Sequence, residues 1–362
     1  MNWHAMTLED MGWNDFFAKG LEESANRTHR PARVTGVRRG VFFVFDGSGE
    51  YQATVSGRLL HHCGVGSLHP AAGDWVTVRE STVTGVLRRR NALSRGASGS
   101  RGKQVSASAG EQVIAANVDT VFIVTGLDRD YNVRRIERYL AVVYNCGCTP
   151  VVLLNKADLH PDMEVRRLLE KVESAAFGAP VHVLSVRDSL GLESIETYLA
   201  PGKTVALIGS SGAGKSTLVN RMAGEARQTT NAVSESDGKG VHTTTSRDLI
   251  RLPGGGLIID NPGIREIAFW NDDGGIDSVF PDIEALASGC RFTDCSHLNE
   301  PGCMVREAIR SGRLPSQRFE NYLKMRRELH YLSERRHKSA SRVEKERWRE
   351  IALKTKKCKN GT

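Results

Sequence analysis

The order of three short motifs constrains this chain more than any one of them. An apolar run at residues 204–208 leads into Gly209-Ser210-Ser211-Gly212-Ala213-Gly214-Lys215-Ser216-Thr217, and residues 216–221 continue as a helix. A G-x-x-x-x-G-K-S segment between a strand and a helix is the context a phosphate-binding loop requires. About fifty residues earlier, Asn155-Lys156-Ala157-Asp158 ends the apolar run 151–154 with the N-K-x-D spacing of a guanine-reading motif. Asp260-Asn261-Pro262-Gly263, a D-x-x-G segment, ends a third run at residues 257–259. In an ordinary GTPase the phosphate loop comes first and the guanine motif near the end. Here the guanine motif comes first, which is the order of a circularly permuted GTPase domain.

Each residue type suits this chemistry. Gly209, Gly212 and Gly214 let the backbone curl so that N–H groups face phosphates, and Ser210, Ser211, Ala213 and Thr217 complete the expected GTP-binding loop. Lys215 neutralises the β- and γ-phosphates, a catalytic contribution by charge, and the Ser216 hydroxyl is an expected Mg²⁺ ligand. Asp158 can accept hydrogen bonds from guanine N1–H and the 2-amino group. Adenine offers neither donor in that arrangement, so unpaired acceptors disfavour ATP. Asn155 is expected to brace the neighbouring loops, and Lys156, next to Ala157, to lie over the base. Ser185 follows the run 181–184, where GTPases place a small backbone contact to guanine O6; the alternative is a simple turn former.

Asp260 is expected to hold Mg²⁺ through water, and the Gly263 N–H to face the γ-phosphate. Between the phosphate loop and Asp260, glycines 238 and 240 and His242-Thr243-Thr244-Thr245 occupy the position of switch I, with Thr244 expected to complete the Mg²⁺ shell. Ile264 stands where many GTPases carry a water-orienting Gln, so intrinsic turnover should be slow. His242 is the nearest replacement by type; the alternative is a solvent-exposed loop histidine. Gly212 stands where potassium-activated GTPases carry Asn, which argues against monovalent-ion activation by that route.

Apolar runs at 121–125, 151–154, 181–184, 205–208 and 257–259 alternate with helix-like segments such as 134–144 and 164–177. That alternation implies a parallel sheet covered on both faces. Ahead of it, strand candidates at 41–45, 51–55 and 74–78, separated by glycine-rich turns, suit a small OB-type barrel, with another small β-domain as the alternative. Residues 1–30 read as a loosely ordered leader. Arg88-Arg89-Arg90 enters a Gly/Ser/basic stretch at 94–103, read as a loop able to clamp nucleic acid.

Cys290, Cys295, His297 and Cys303 lie within fourteen residues, spaced C-x₄-C-x-H-x₅-C. Three cysteines and a histidine form a recognised structural zinc set, closed to catalysis because four ligands complete a tetrahedron. Cys63, Cys146, Cys148 and Cys358 read as ordinary thiols. With 40% hydrophobic and 25% charged residues the chain has a globular composition. No apolar stretch is long enough to span a bilayer, and the N-terminus lacks the basic and apolar regions of a secretion signal. A cytosolic protein with reduced thiols is expected. The net charge of +8 arises entirely after Arg318, where fourteen basic residues face six acidic ones. Such an arm suits a polyanionic partner; the alternative is a solvated, frayed terminal helix.

The chain resembles the RsgA (YjeQ) family of small-ribosomal-subunit biogenesis GTPases from about Pro31 to the start of the basic tail. The marks are Gly73-Asp74, Ala115-Ala116-Asn117-Val118-Asp119, the permuted Asn155–Asp158 and Gly209–Ser216 pair, His242-Thr243-Thr244-Thr245, Asp260-Asn261-Pro262-Gly263 and the Cys/His set. The resemblance implies an OB-fold at 31–110 after a leader at 1–30. It further implies a circularly permuted α/β P-loop GTPase domain at 111–275 and a mainly helical, zinc-binding domain at 276–335; residues 336–362 read as a basic tail beyond it. It also implies action on the small subunit and its rRNA, one structural Zn²⁺, Mg²⁺ with GTP, and a catalytic role for His242; a monomer is expected. The long leader and the basic arm beyond Arg335 depart from the family pattern. The competing functions are a nucleotide-gated RNA-binding or chaperone module with incidental hydrolysis and, less consistent with the guanine motif, a metabolic P-loop kinase.

Overall fold

A computed structural model of the protein describes residues 6–24, 28–38, 41–62, 69–96, 111–176, 178–224, 247–260 and 275–337. Residues 6–24, within the expected loose leader, are instead folded. Helix α1 (Asp15–Glu22) starts at Asn14, whose side chain accepts the Phe16 N–H, and it buries Phe17. Met6 and Met11 are buried as well, and the Trp13 ring meets the Trp75 ring edge-on at 4.7 Å. A few aromatics close in sequence bury enough apolar surface to order so short a segment.

The β-rich region closes into a barrel. Strand β1 (Arg30–Arg38) pairs antiparallel with β2 (Val41–Phe45) and also with β4 (Trp75–Arg79). Strand β3 (Glu50–Val55) pairs with β2 and runs parallel to β5 (Thr82–Val86), which pairs with β4. Helix α2 (Gly57–His62) sits between β3 and β4. Alternate residues, among them Val34, Phe42, Val44, Ala53, Val76 and Val83, fill the interior. Five strands with this connectivity are those of an OB-type barrel, as expected.

Next comes a hairpin, β6 (Ala92–Gly96) with β7 (Glu111–Ala116). Contrary to the loop expected from residue 94, Ser94, Arg95 and Gly96 pair with Val113, Gln112 and Glu111. The ladder is supported by buried Leu93, Val113 and Ala115, too sparse an apolar pattern to show in the strand's own sequence. Residues 97–110 lie outside the described residues.

The α/β domain contains β8 (Thr120–Gly126), α3 (Val133–Asn145), β9 (Thr149–Asn155), α4 (Asp162–Ala176), β10 (Val181–Val183), β11 (Thr204–Ile208), α5 (Lys215–Ala223), β12 (Arg247–Arg251) and β13 (Leu257–Asp260). Spatial order is β10-β9-β8-β11-β13-β12, the first five parallel and β12 antiparallel to β13. Every residue of β8 and β11 is buried. Val121, Ile123, Val152 and Leu154 face one layer with Ile136 and Leu140 of α3. Phe122, Val124, Val151 and Leu153 face the other with Leu218 and Val219 of α5. Coverage on both faces explains why these strands read as unbroken apolar runs.

Strand β12 also pairs with barrel strand β1, Gly36 opposite Asp248 and Val37 opposite Arg247, so the two sheets are continuous. Arg33 fills the junction. Its guanidinium is fully buried and donates to the carbonyls of Met11 and Gly73 and to the Thr204 hydroxyl at 2.8 Å. Burial lowers its pKa to about 10 against the pull of Asp119, so it stays charged at neutral pH. The C-terminal region is helical: α6 (Gly275–Val279), α7 (Pro281–Ala287), α8 (Met304–Arg310) and α9 (Ser316–His337). Arg318 of α9 ties it to the α/β domain through Glu137 of α3 at 2.7 Å. No helix among the described residues is long and apolar enough to cross a membrane.

Candidate nucleotide and metal sites

Because β8, β9, β10, β11 and β13 run parallel, their carboxyl ends share one edge of the sheet, where open α/β sheets bind ligands. Three of the expected motifs leave from it. Gly209 follows β11 with φ +141°, and a β-carbon there would stand 2.1 Å from the Val124 carbonyl oxygen. Gly214, at φ +99°, precedes α5, and its missing β-carbon leaves room for the Asn155 amide, which would otherwise be 2.2 Å away. The loop therefore curls into the N-terminus of α5, an arrangement that aims backbone N–H groups at an anion. Lys215 Nζ lies back over the loop, donating to the carbonyls of Gly209 at 2.7 Å and Ser210 at 2.5 Å.

Asn155 is buried and its side chain bonds to two neighbouring loops. Its Nδ2 donates to the Ala213 carbonyl at 2.9 Å and its Oδ1 accepts the Val186 N–H at 3.2 Å. Lys156 takes a left-handed backbone conformation at φ +68° and starts a 3₁₀ turn over Ala157–Leu159. Its Nζ meets Asp128 Oδ2 at 2.6 Å. Ser185 is buried, and its hydroxyl donates to Asp158 Oδ1 at 2.7 Å. Sequence reasoning gave Ser185 a backbone contact; the structure adds this side-chain contact, which holds the Asp158 carboxylate.

Ser211, Gly212, Ser216 and Thr217 lie on the loop and the first turn of α5, and the backbone of Asp260 ends β13 on the same edge. His242, Thr243, Thr244, Thr245, Gly263 and Ile264 lie outside the described residues. Sequence reasoning missed Asp128 and Asp130, on the loop after β8. Asp130 accepts the Ser210 hydroxyl and pairs with Arg135 at 2.5 Å. No motif contains these carboxylates; their one local signal is two acids just past a buried strand's carboxyl end.

The family marks around Gly73 and Asn117 prove to be the barrel junction. Gly73, at φ +86°, has no room for a β-carbon, which would lie 2.3 Å from the Ala116 carbonyl oxygen. Asp74 is buried and takes both an Nε and a terminal N–H of Arg89, at 2.7 and 2.6 Å. Arg90 pairs with Asp119 at 3.2 Å and lies over the Phe17 ring. Of the arginine triplet expected to meet nucleic acid, two members are thus paired with carboxylates of the fold, Arg89 half-buried and Arg90 still exposed. Only Arg88 is exposed without such a pairing in the described structure.

Cys290, Cys295, His297 and Cys303 offer ligand atoms that all lie within 4.8 Å of one another. His297 Nδ1 is 3.6 Å from Cys290 Sγ and 3.4 Å from Cys303 Sγ, and the two sulfurs are 3.9 Å apart. Four convergent soft donors fit a tetrahedral metal ion. Burial lowers the His297 pKa, which favours the neutral imidazole a metal needs, while Glu284 and Glu300 pull it the other way. Glu300 ties down the intervening turn by accepting the N–H groups of Ser296, Leu298 and Asn299 at 3.0–3.1 Å. Cys146 and Cys148 belong to no such cluster among the described residues.

A six-stranded α/β domain with the guanine motif ahead of the phosphate loop, both on one sheet edge, defines a circularly permuted P-loop GTPase fold. The RsgA GTPase family profile matches residues 86–270. The small ribosomal subunit biogenesis GTPase RsgA of Opitutus terrae is 46% identical, covering 96% of each chain. That of Syntrophotalea carbinolica is 44% identical over 90% of each. The crystal structure of YjeQ from Thermotoga maritima matches with a TM-score of 0.60 at 25% identity, covering 83% of this chain and 98% of that one. YloQ, a circularly permuted GTPase, matches in fold with a TM-score of 0.57 at 20% identity, covering 86% and 98%. The chain belongs to the RsgA GTPase family.

Proposed function

We propose that this protein hydrolyses GTP and acts on the small ribosomal subunit and its rRNA, assisting or checking late maturation. The observation that carries the reading is the joining of Asn155 to Ala213, which assembles the permuted guanine and phosphate motifs into one site, in a chain similar along 96% of its length to a small ribosomal subunit biogenesis GTPase. Asp158, held by Ser185, reads guanine; Asn155 braces; Lys156 and Ala157 flank the base. The N–H groups of residues 209–217 and the Lys215 ammonium hold the phosphates. Ser216, Thr244 and Asp260 would hold Mg²⁺, which would neutralise charge developing on the phosphate oxygens. On this reading Gly263 is the γ-phosphate contact and His242 the residue that would position the attacking water.

The domain scheme follows the same reading: a barrel at 31–110, the GTPase at 111–275, a zinc-binding domain at 276–335 and a basic tail at 336–362, with the leader packed on the junction. The metal is Zn²⁺, one per chain, structural in role because Cys290, Cys295, His297 and Cys303 fill its coordination. The protein works as a cytosolic monomer whose basic arm meets rRNA phosphate. GTP and ATP turnover, measured with and without purified small subunits, tests the reading. Slow turnover selective for GTP and raised by subunits supports it. Equal use of ATP, or no binding and no response to subunits at any salt concentration, would overturn it and favour an RNA-binding module with incidental hydrolysis.

A further inference from the structure

The loop after β8 belongs to none of the guanine-nucleotide motifs, yet it touches two of them. Asp128 Oδ2 accepts Lys156 Nζ at 2.6 Å, inside the guanine motif. Asp130 Oδ1 accepts the Ser210 hydroxyl, the second residue of the phosphate loop. The two acids are fixed to each other, because the Asp130 N–H donates to Asp128 Oδ1 at 3.0 Å. Asp130 is further held by Arg135 at 2.5 Å and by the Gly126 N–H at 3.3 Å. The loop is also tied to β9, the Leu127 N–H donating to the Asn155 carbonyl at 2.8 Å. A β-carbon on Gly126 would lie 2.7 Å from Asp128 Oδ1 and 3.3 Å from Lys156 Cδ, so the lysine stem runs close against the backbone.

We propose that Asp128 and Asp130 are positioning residues of the nucleotide site, Asp128 setting the Lys156 side chain along the guanine face and Asp130 setting the Ser210 end of the phosphate loop. The inference rests on the guanine-nucleotide reading above. A lysine side chain loses much rotamer freedom when it is fixed, so a stem that must lie flat against a base gains from having its ammonium held beforehand. Held at Asp128, the ammonium leaves the four-carbon stem as the surface the base meets. Any purine can rest on such a stem, so Asp128 governs affinity, whereas Asp158 governs which purine is taken. Asp130 acts from the other side: with Asn155 on Ala213 and Asp130 on Ser210, the phosphate loop is anchored at both ends. Both acids act through other residues, and neither is placed on a reacting atom.

The test uses the full chain and two double-mutant cycles, with GDP and IDP affinities from equilibrium titration and melting curves to confirm folding. Asp128→Ala and Lys156→Ala should each weaken GDP by about fivefold, as suits a partly exposed ion pair. The double variant should be no weaker than Lys156→Ala to within about twofold, since the effect passes through Lys156. Asp128→Glu should recover part of the loss, and the GDP/IDP ratio should stay that of the parent. Asp130→Ala and Ser210→Ala should be non-additive in the same way. Should an alanine variant melt too low to titrate, Asp128→Asn, which keeps shape and removes the charge that holds Lys156, and Asp130→Leu, which keeps size and removes the acceptor for Ser210, must still show the loss. Parent-like GDP affinity in these variants, or losses that multiply in the double variants, overturns the proposal. If the parent binds no GDP, or Asp158→Ala binds as well as the parent, the guanine reading itself has failed. If Asp158→Ala loses GDP while the Asp128 and Asp130 variants keep it, only the present inference falls.

Discussion

Asn155 Nδ2 donates to the Ala213 carbonyl at 2.9 Å, joining two motifs that the permutation has set 58 residues apart in reversed order. Permutation moves the ends of the chain and leaves the contacts in place, because a parallel sheet brings strand ends together whatever their order. The same side chain accepts the Val186 N–H at 3.2 Å, so one buried amide spans three loops. Asn155→Ala would leave a buried carbonyl and a buried N–H unpaired, each costing about 1–3 kcal/mol. GTP and GDP affinity should fall together by tenfold or more (about 1.4 kcal/mol per tenfold), with a lower melting temperature. Equilibrium titration alongside thermal melting checks this, and unchanged affinity with unchanged melting would rule out the bracing role.

Arg318 and Glu137 form the corresponding fastener between the C-terminal helices and the α/β domain. The pair is 2.7 Å apart with side chains 10% and 4% exposed, and Asn321 and Asp282 complete it. Arg318→Ala strands a buried carboxylate and should cost about 3–5 kcal/mol in denaturant unfolding. Burial already raises the Glu137 pKa, against the opposing pull of Asn321 and Arg318. Loss of Arg318 raises it further. A raised folded-state carboxyl binds its proton more readily than the unfolded chain does, so its stabilising contribution is present at low pH and lost as pH rises. The stability gap between parent and Arg318→Ala should therefore narrow as pH is lowered from about 7 to about 5. A gap that widens on acidification would contradict this placement of Glu137.

Much of this was legible in sequence for a local reason. The apolar runs 121–125, 151–154, 205–208 and 257–259 fall within strands β8, β9, β11 and β13, because strands buried on both faces have nothing polar to interrupt them. What stayed hidden was decided by distant partners. Strand β12 carries just Leu249 and Ile250 as apolar residues, and its ladder to β1 comes from a segment some two hundred residues away. Nothing adjacent in sequence marks Arg33, whose partners Met11, Gly73 and Thr204 come from three distant segments. The leader reads as loose because its aromatics find Trp75 only in three dimensions.

That leader yields its own prediction. Phe17 is 1% exposed, lies 5.7 Å from the Trp75 ring, and carries the Arg90 guanidinium over its face. Phe17→Ala should destabilise the protein by about 3–5 kcal/mol through the cavity it leaves. Phe16, which is exposed, is the control, and Phe16→Ala should cost little. Equal, small losses at both positions in chemical denaturation would return the segment to a loose tail.

Metal content offers a direct check on the Cys/His cluster. One equivalent of zinc per chain is expected in the purified protein, and substitution of Cys303, the most buried of the three thiols, should abolish it. Metal binding contributes folding free energy, so chelation should loosen residues around α7 and α8 while GDP binding persists. Far less than one equivalent, with no structural gain on adding zinc, would exclude a structural metal.

Adjacent arginines separate fold from partner. Arg89 gives two hydrogen bonds to buried Asp74 and a third to the His69 carbonyl at 2.9 Å, whereas Arg88 is exposed. Arg89→Ala leaves Asp74 buried without its charge partner and should lower the melting temperature, by the several kcal/mol such an orphaned carboxylate costs. Arg88→Ala should leave melting unchanged. If the barrel meets rRNA phosphate, the Arg88 variant should bind small subunits more weakly, with the slope of log affinity against log salt reduced by about one. Removing residues after Arg335 should flatten that slope further, in proportion to the charges lost, without altering intrinsic turnover. Subunit binding at several salt concentrations, read beside thermal melting, distinguishes the two arginines. A salt slope unchanged by Arg88→Ala would place the barrel's rRNA contact elsewhere, and one unchanged by removing the tail would leave the chain's excess positive charge with no part in binding.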